Sequence, residues 1–209
     1  MGEWPGPPPP YRIETERLVI RCYEPRDAAV MKDMIDSSLD HLRPWMPWAE
    51  AEPQTLDEKV ELLRRFRSQF DAGDNFVMGM FSADESEQLG GTGLHLRGDP
   101  GGLEIGYFVR ASATRQGYVT ESTAALTRVG FEVCGADRIE IRIDPTNEAS
   151  LGVPRKLGFV EEATLRQRLP GRAGGPPRDV TMFTMFRDDF DPSIAPRIRA
   201  FDARGEQVL

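Results

Sequence analysis

The chain of 209 residues has no apolar run that approaches the length of a membrane span. A membrane helix needs about 20 consecutive apolar residues. The sequence after Met1 also carries neither the basic region nor the apolar region of a secretory signal peptide. We therefore expect a cytosolic protein that has no membrane as a partner.

Cysteine and histidine are scarce, with Cys22, Cys134, His41 and His95 in the whole chain. Two cysteines do not make a disulfide framework, and no Cys/His spacing is that of a zinc site, so no metal is expected. A Cys–His pair is hard to build from so few residues. Each cysteine is therefore predicted to be a small core side chain rather than a nucleophile.

Positive charge is in deficit. The chain has 26 Lys and Arg against 34 Asp and Glu, which gives a formal net charge of −8 and a pI near 4.9. The resulting field repels a phosphate backbone, so nucleic acid is not expected as a partner. The same field would attract a cationic amine, although many proteins carry such a charge for solubility alone.

The composition divides the chain into three parts. Residues 1–10 include five prolines and predict a disordered or polyproline tail. Residues 11–190 are long enough for one domain with its own core. Residues 191–209 are a C-terminal extension with one strand-like piece near Ile198, which could pair across a homodimer.

Hydrophobic periodicity predicts alternating groups of strands and helices. The predicted helices cover residues 27–39, 56–70, 118–133 and 147–157. The predicted strands cover residues 18–23, 76–82, 89–96, 103–109, 138–143, 159–169 and 179–186. This order indicates a mixed α/β sheet with a run of antiparallel strands at its start, rather than a doubly wound βαβαβ fold.

The most informative segment is a strand-to-helix turn at residues 115–120, which reads Arg-Gln-Gly-Tyr-Val-Thr. Gly117 allows the backbone to approach a ligand closely. A helix start offers free N–H groups and the positive end of a dipole, and Arg115 adds a fixed charge. The turn is therefore a candidate pyrophosphate cradle, with a plain connection as the alternative.

The turn resembles motif A of the GNAT acyltransferase family, Gln/Arg-x-x-Gly-x-Gly/Ala. Gly117 matches the fourth position, and residues 118–121 resemble the Tyr-Ala-Thr-Glu of the RimJ/RimL branch. Thr114 stands where Gln or Arg is expected, and Val119 stands where Gly or Ala is expected. A cradle built from backbone amides tolerates both changes, although Val119 could narrow the channel.

Two further segments carry the same resemblance. Residues 147–159 are similar to motif B, Asn-x-x-Ser-x-x-Val-x-x-Lys-Leu-Gly-Phe, and they begin at Asn147. Residues 42–48, Leu-Arg-Pro-Trp-Met-Pro-Trp, resemble a segment near the substrate side of RimL-like proteins. The three segments keep the family order and span roughly residues 12–190.

The resemblance implies the GNAT fold, a mixed α+β architecture whose seven-stranded, largely antiparallel sheet splays between its fourth and fifth strands. It also implies acetyl-CoA as co-substrate, transfer of the acetyl group to a primary amine, and an amine substrate held near Trp45, Trp48 and Glu104. The implied CoA-binding residues are Phe108, Val109, Arg110, Arg115, Gln116, Gly117, Tyr118, Val119, Thr120, Asn147 and Ser150. For Asn147, a helix N-cap is the alternative role, and the two are compatible.

Glu104 is the candidate general base. Alternation along the strand places it on the face opposite Leu103 and Ile105, and the Glu-Ile pattern resembles the base-bearing strand of the histone-acetylating branch. A carboxylate on a central strand is costly unless it is paired or used. The alternative is an ion pair with Arg138 or Arg142.

Ser150 is the candidate general acid. Many GNAT members protonate the leaving thiolate with a tyrosine seven residues after the motif B asparagine, but here that position is Pro154. Ser150 lies one turn into the predicted helix, where capping is the alternative role. Pro154 should also remove one backbone hydrogen bond and kink or shorten the helix.

Three functions stay open at this point. The first is acetylation of a protein N-terminal amine, which the Trp-rich segment favours. The second is acylation of a small amine such as an amino acid, a polyamine or an antibiotic. The third is a CoA-binding regulator without catalysis, suggested by Thr114, Val119 and the missing tyrosine.

Overall fold

A computed structural model describes residues 4–97, 100–195 and 197–209. Within these ranges no helix is long and apolar enough to cross a bilayer. The helices are α1 (Ala28–Asp36), α2 (Leu39–Leu42), α3 (Leu56–Asp71), α4 (Tyr118–Glu132) and α5 (Glu148–Leu157). The strands are β1 (Arg12–Glu14), β2 (Leu18–Cys22), β3 (Phe76–Ser82), β4 (Gln88–His95), β5 (Gly102–Val109), β6 (Arg138–Ile143), β7 (Val160–Leu169), β8 (Arg178–Phe186) and β9 (Arg199–Phe201).

The described strands form one sheet in the order β7-β8-β6-β5-β4-β3-β2-β1-β9. Neighbours are antiparallel except for β5 and β6, which are parallel. This pair is joined by helix α4, as a parallel connection requires. The mixed, largely antiparallel sheet expected from the sequence is therefore confirmed.

The sheet has nine strands rather than the seven expected. Both additional strands have only three residues: β1 precedes the first predicted strand, and β9 comes from the C-terminal extension. Arg12 of β1 pairs with Phe201 of β9, almost the whole chain away. The tail strand therefore pairs within its own chain.

The two faces of the sheet are covered by different helices. Leu103 and Ile105 of β5 belong to the core beneath α4 and α5, whereas Phe108 packs with the cluster beneath α1 and α3. These side chains alternate because successive residues of a strand point to opposite faces. We name the two sides the α4 face and the α3 face.

Helix α4 is buried on more than one side, because Phe190 and the start of the C-terminal extension pack across it. Arg128 Nη1 donates a hydrogen bond to the carbonyl of Ala195 at 2.9 Å. The rings of Phe131 and Phe190 lie with their centroids 4.9 Å apart. Small or hydroxylated residues such as Thr123 and Ala124 are consequently buried as well.

Of the disordered or polyproline tail expected at residues 1–10, residues 1–3 lie outside the described residues, and the segment that begins at Trp4 packs against the domain. Trp4 is only 8% exposed, and its Nε1 donates a hydrogen bond to the carbonyl of Cys134 at 3.2 Å. A large aromatic ring that also satisfies its N–H group gains enough from burial to order a proline-rich segment.

Candidate active site

The sheet opens between β5 and β6. Their pairing ends at Glu104 and Glu140, yet β5 continues to Val109 and β6 continues to Ile143. The two strands therefore diverge and leave a V-shaped cleft, which we call the V. Backbone polar groups on its inner edges are free of sheet partners and open to a ligand.

The N-terminus of α4 lies beyond the tip of β5. Gly117 is the N-cap residue and has a φ of +84°, a left-handed conformation that glycine adopts without strain. The first intrahelical bond recorded at this end runs from Glu121 N to Gly117 O at 3.0 Å. The amides of Tyr118, Val119 and Thr120 precede that bond, as helix-terminal donors do.

Arg17 lies across this turn, a contact that no local motif in the sequence predicts. Its Nη1 donates to the carbonyl of Gln116 at 2.9 Å, and its guanidinium lies 4.7 Å from the centre of the Tyr118 ring. Glu121 holds Arg17 in place through a 2.7 Å bond from Nε. The residue thus adds a cation at the edge of the cradle.

A cavity of about 680 Å³ adjoins the same turn. Gly117 and Thr120 line one side, Lys156 lines another, and Arg197 of the C-terminal extension closes it. Three cations, including Arg17, and the two carboxylates Glu16 and Glu121 line this space next to a helix N-terminus, and Arg17 is paired with Glu121. Such a space suits phosphate groups.

Asn147 and Ser150 lie at the start of α5, on the other side of the V. Asn147 Oδ1 accepts a hydrogen bond from Ser150 N at 3.2 Å, so the capping role is present. Among the described residues, no bond of the Asn147 amide NH₂ or of Ser150 Oγ is recorded. Both groups remain able to bind a ligand.

Tyr107 bridges the V from β5 to α5. Its hydroxyl donates a hydrogen bond to the carbonyl of Ser150 at 3.1 Å. In an α-helix that carbonyl would accept the N–H of residue 154, but Pro154 has none. The helix continues through Pro154 to Leu157, and the phenol is the hydrogen-bond partner of the carbonyl that the proline leaves unpaired. Burial raises the pKa of the Tyr107 phenol above its usual range.

The Trp-rich segment spans the mouth of the V on the α3 face. The ring of Trp48 lies 5.0 Å from that of Phe108 at the tip of β5. Arg172 stacks over Trp45 at 4.5 Å and donates to Asp144, which follows β6, at 3.0 Å. The prolines of this segment prevent a continuous helix, and a 3-10 turn covers Pro47–Ala51.

Asp144 anchors the far side of this mouth. Burial opposes its ionisation, but hydrogen bonds from Thr146 and Arg178 together lower its pKa below the usual value. Asp144 thus stays a carboxylate and fixes Arg172, which in turn holds Trp45 in place.

Glu104 lies at the point where the V begins, and two arginines hold it. Arg97 Nη2 is 2.6 Å from Oε1, and Arg142 Nε is 2.9 Å from Oε2. The ion pair foreseen as the alternative role is therefore present with Arg142. Each carboxylate oxygen therefore lies within ion-pair distance of one arginine.

His95 lies beside Glu104 on the α3 face. Its Nδ1 is hydrogen-bonded to Asn75 Oδ1 at 2.7 Å, and a Cβ added to Gly106 would be 3.0 Å from its Nε2. The imidazole thus lies over Gly106, within the splayed part of β5. Burial and the nearby Arg97 lower its pKa to about 4, so the ring is neutral at physiological pH.

Residues 17–160, more than half of the chain, match the acetyltransferase (GNAT) domain family. The chain belongs to the GNAT acetyltransferase family. The matched span contains the cradle, both strands of the V, the Trp-rich segment and α5.

Relatives support the GNAT assignment over most of the chain. The [ribosomal protein uS5]-alanine N-acetyltransferase of Escherichia coli strain K12 is 26% identical over 189 residues, 88% of this chain and 95% of that protein. Mycobacterium smegmatis RimJ, solved in complex with CoA-disulfide, has a TM-score of 0.76 and 24% identity and covers 94% of this chain and 95% of its own. The ribosomal-protein-S5-alanine acetyltransferase from Vibrio fischeri has a TM-score of 0.74 and 20% identity, with 87% and 99% covered. The two structures share the fold of this acetyltransferase.

Most residues expected to bind CoA lie around the V and the GNAT cradle, but Arg110 is engaged elsewhere. Its N–H donates to the carbonyl of Leu89 at 2.8 Å, and its side chain bonds Asp33 and Ser37 of the α1 region. Because backbone N–H groups alternate along a strand, the N–H of Phe108 also points toward β4, while that of Val109 points into the V.

The two cysteines of this acetyltransferase are buried, as expected. Burial raises the pKa of Cys22 to about 11 and that of Cys134 to about 12. A buried, protonated thiol is a poor nucleophile. The geometry therefore offers no support for an acyl-cysteine intermediate.

Proposed function

We propose that this GNAT enzyme transfers the acetyl group of acetyl-CoA directly to the N-terminal α-amine of a protein. The observation that carries the proposal is the V, which opens on one side to the helix cradle and on the other to an aromatic rim. Direct transfer requires both substrates to meet in one place, and the V joins the two sides.

The chain offers a suitable set of groups for CoA. The amides of Tyr118, Val119 and Thr120, with Arg17 at the edge, would hold the pyrophosphate. The adjoining cavity with Lys156 and Arg197 has the size and charge for the nucleotide end. Asn147 would bind the pantetheine through its side-chain NH₂, which its capping role leaves free.

Transfer requires that the thioester carbonyl is polarised, that the ammonium loses a proton and that the leaving thiolate gains one. Each of these events has candidate groups in the V. The Val109 N–H, directed into the cleft, would polarise the thioester carbonyl. Glu104, expected from the sequence, and His95, added by the structure, are the candidate bases on the α3 face. Ser150 is the acid expected from the sequence. A free α-amine has a pKa near 8, so a weak base is sufficient to remove its proton at neutral pH.

The proposed acceptor is a protein because the rim is open and aromatic. Trp48 is 38% exposed at the mouth of the V, so an extended N-terminal segment could lie against it. The E. coli relative named for uS5 alanine favours the same class of acceptor. A cytosolic location agrees with such a substrate, and the homodimer stays a prediction.

Incubation with acetyl-CoA and an amine panel, followed by mass spectrometry, tests this function. The panel contains peptides that begin with alanine, serine or methionine. It also contains the same peptides with a blocked N-terminus and an unmodified lysine side chain. Free amino acids and polyamines complete the panel. We expect acetylation of unblocked peptides only. Turnover confined to small amines would replace the protein acceptor by a small one, and CoA binding without any turnover would indicate a regulator.

A further inference from the structure

The hydrogen bond between Tyr107 and Ser150 has a cause in the sequence. Pro154 removes the amide that would otherwise bond the Ser150 carbonyl. The phenol takes that place at 3.1 Å, so the proline fixes a hydroxyl group at the first turn of α5. A tyrosine that sequence reasoning had assigned no chemistry is thereby held across the V.

The position of Tyr107 is in the splayed part of the sheet. It lies three residues after Glu104, the last residue of β5 that pairs with β6. Its side chain packs against the core of the α4 face and is partly exposed. The α4 cradle lies on the same face, so the thioester end of a CoA that extends from the cradle into the V would reach this hydroxyl.

We propose that Tyr107 is the catalytic residue that donates a proton to the sulfur of departing CoA. This inference rests on the proposed acetyl transfer. The amine adds to the thioester carbon, the C–S bond breaks, and its electron pair goes to sulfur. The phenol proton moves to sulfur to give the thiol of CoA, and the phenolate regains a proton that the amine nitrogen loses as the amide forms.

The acidity of a phenol and the fixed position of its hydroxyl favour Tyr107 over Ser150 as the donor. A phenol is a far stronger acid than an aliphatic hydroxyl. Burial nevertheless keeps the phenol protonated at neutral pH, because it raises the pKa of Tyr107. The proton is therefore present when the thiolate forms and can be transferred to it.

The direct test is the ionisation of CoA in its complex with the enzyme, without any turnover. The absorbance of the CoA thiolate is followed against pH, with desulfo-CoA as the blank. A phenol that donates to sulfur lowers the thiol pKa, so we expect Tyr107→Phe to raise it by roughly one unit. An unchanged thiol pKa in Tyr107→Phe, or the same rise in Ser150→Ala alone, would overturn the proposal.

Kinetics separate proton donation from a purely structural role. Tyr107→Phe should lower kcat about 100-fold with little change in CoA affinity. The double variant Tyr107→Phe/Pro154→Ala restores a helix N–H for the Ser150 carbonyl but not the phenol. We expect its kcat to stay low, whereas recovery to the Pro154→Ala rate would show that Tyr107 only supports α5.

The wild-type enzyme separates this proposal from the proposed function. Wild type must bind CoA before the thiol titrations are interpreted, and it must acetylate a peptide before the kcat values of the variants are interpreted. Wild-type turnover together with an unaffected Tyr107→Phe variant would overturn the role of Tyr107 alone. Absence of wild-type turnover would overturn the proposed function, while the thiol titration would still decide whether Tyr107 reaches the sulfur.

Discussion

Two side chains on the α3 face of the V can accept a proton, and they differ in what already binds them. Both oxygens of Glu104 face arginine side chains. His95 has Nδ1 occupied by Asn75, while its Nε2 lies over Gly106 and no bond of Nε2 is recorded within the described ranges. Its pKa is lowered to about 4, so the imidazole is neutral at neutral pH and its Nε2 can accept a proton, as a weaker base than a free imidazole.

We therefore expect His95→Gln to lower kcat about 100-fold at pH 7 and Glu104→Gln to lower it less than tenfold. The loss in His95→Gln should shrink as the pH rises past 8, because the amine then arrives already neutral. Since the pKa of His95 is lowered to about 4, the pH–rate profile of wild type should show no histidine ionisation near pH 6.5. Steady-state kinetics of wild type and both variants between pH 5 and 9 measure these effects. A larger loss of kcat in Glu104→Gln than in His95→Gln would identify the carboxylate as the base.

The residues of the site that sequence could predict are those within local motifs. Gly117, Asn147 and Ser150 lie in short segments whose spacing reports the turn or the helix start around them. Arg17 and Tyr107 were missed because their partners are far away in sequence: Arg17 bonds a carbonyl 99 residues on, and Tyr107 bonds one 43 residues on. The bond of the Arg110 N–H to Leu89 could not be predicted, because strand periodicity does not reveal which edge an N–H faces.

Among the elements, α5 and β5 are linked where Tyr107 bonds the helix carbonyl that Pro154 leaves unpaired. Pro154→Ala should restore the helix N–H, so Tyr107→Phe ought to cost less stability in that background than in wild type. We expect a loss of about 1–2 kcal/mol for Tyr107→Phe alone, since it leaves a helix carbonyl without a partner. Urea unfolding of wild type, the two single variants and the double variant gives the coupling free energy between the two substitutions. This coupling should exceed about 0.5 kcal/mol. Additive losses would mean that Tyr107 does not replace the missing amide.

The elements themselves were largely predictable where periodicity was strong. The strands Phe76–Ser82 and Arg138–Ile143 match their predictions at both ends. The first predicted helix instead ends at Asp36, where Ser37 Oγ donates to the carbonyl of Met34 at 3.1 Å and competes with the helix. Strands β1 and β9 are too short to show alternation, and only their mutual pairing makes them strands.

In the whole protein, the C-terminal extension packs against the rest of the domain. It crosses α4, contributes Arg197 to the cavity beside the cradle, and adds β9 to the edge of the sheet. Residues of the extension and of the cradle therefore line the same cavity. Sequence composition could separate residues 191–209 as a segment but could not show where the segment packs.

The central claim is that CoA binds in the V with its pyrophosphate at the N-terminus of α4. Gly117 and Gly135 lie near opposite ends of that helix, with φ of +84° and +75°, and an alanine at either is strained. Only Gly117 adjoins the cradle, where an added Cβ would be 3.4 Å from Arg17 Nη2, while Gly135 has nothing within 4 Å. The pair therefore matches backbone strain while changing the cradle in one variant only.

Calorimetric titration of CoA into wild type, Gly117→Ala and Gly135→Ala is the most direct measurement of this claim. We expect wild type and Gly135→Ala to bind with the same Kd and Gly117→Ala to bind at least about tenfold more weakly, although both variants lose about 1–2 kcal/mol of stability. No binding by folded wild type, or equal affinity in all three proteins, would contradict the account.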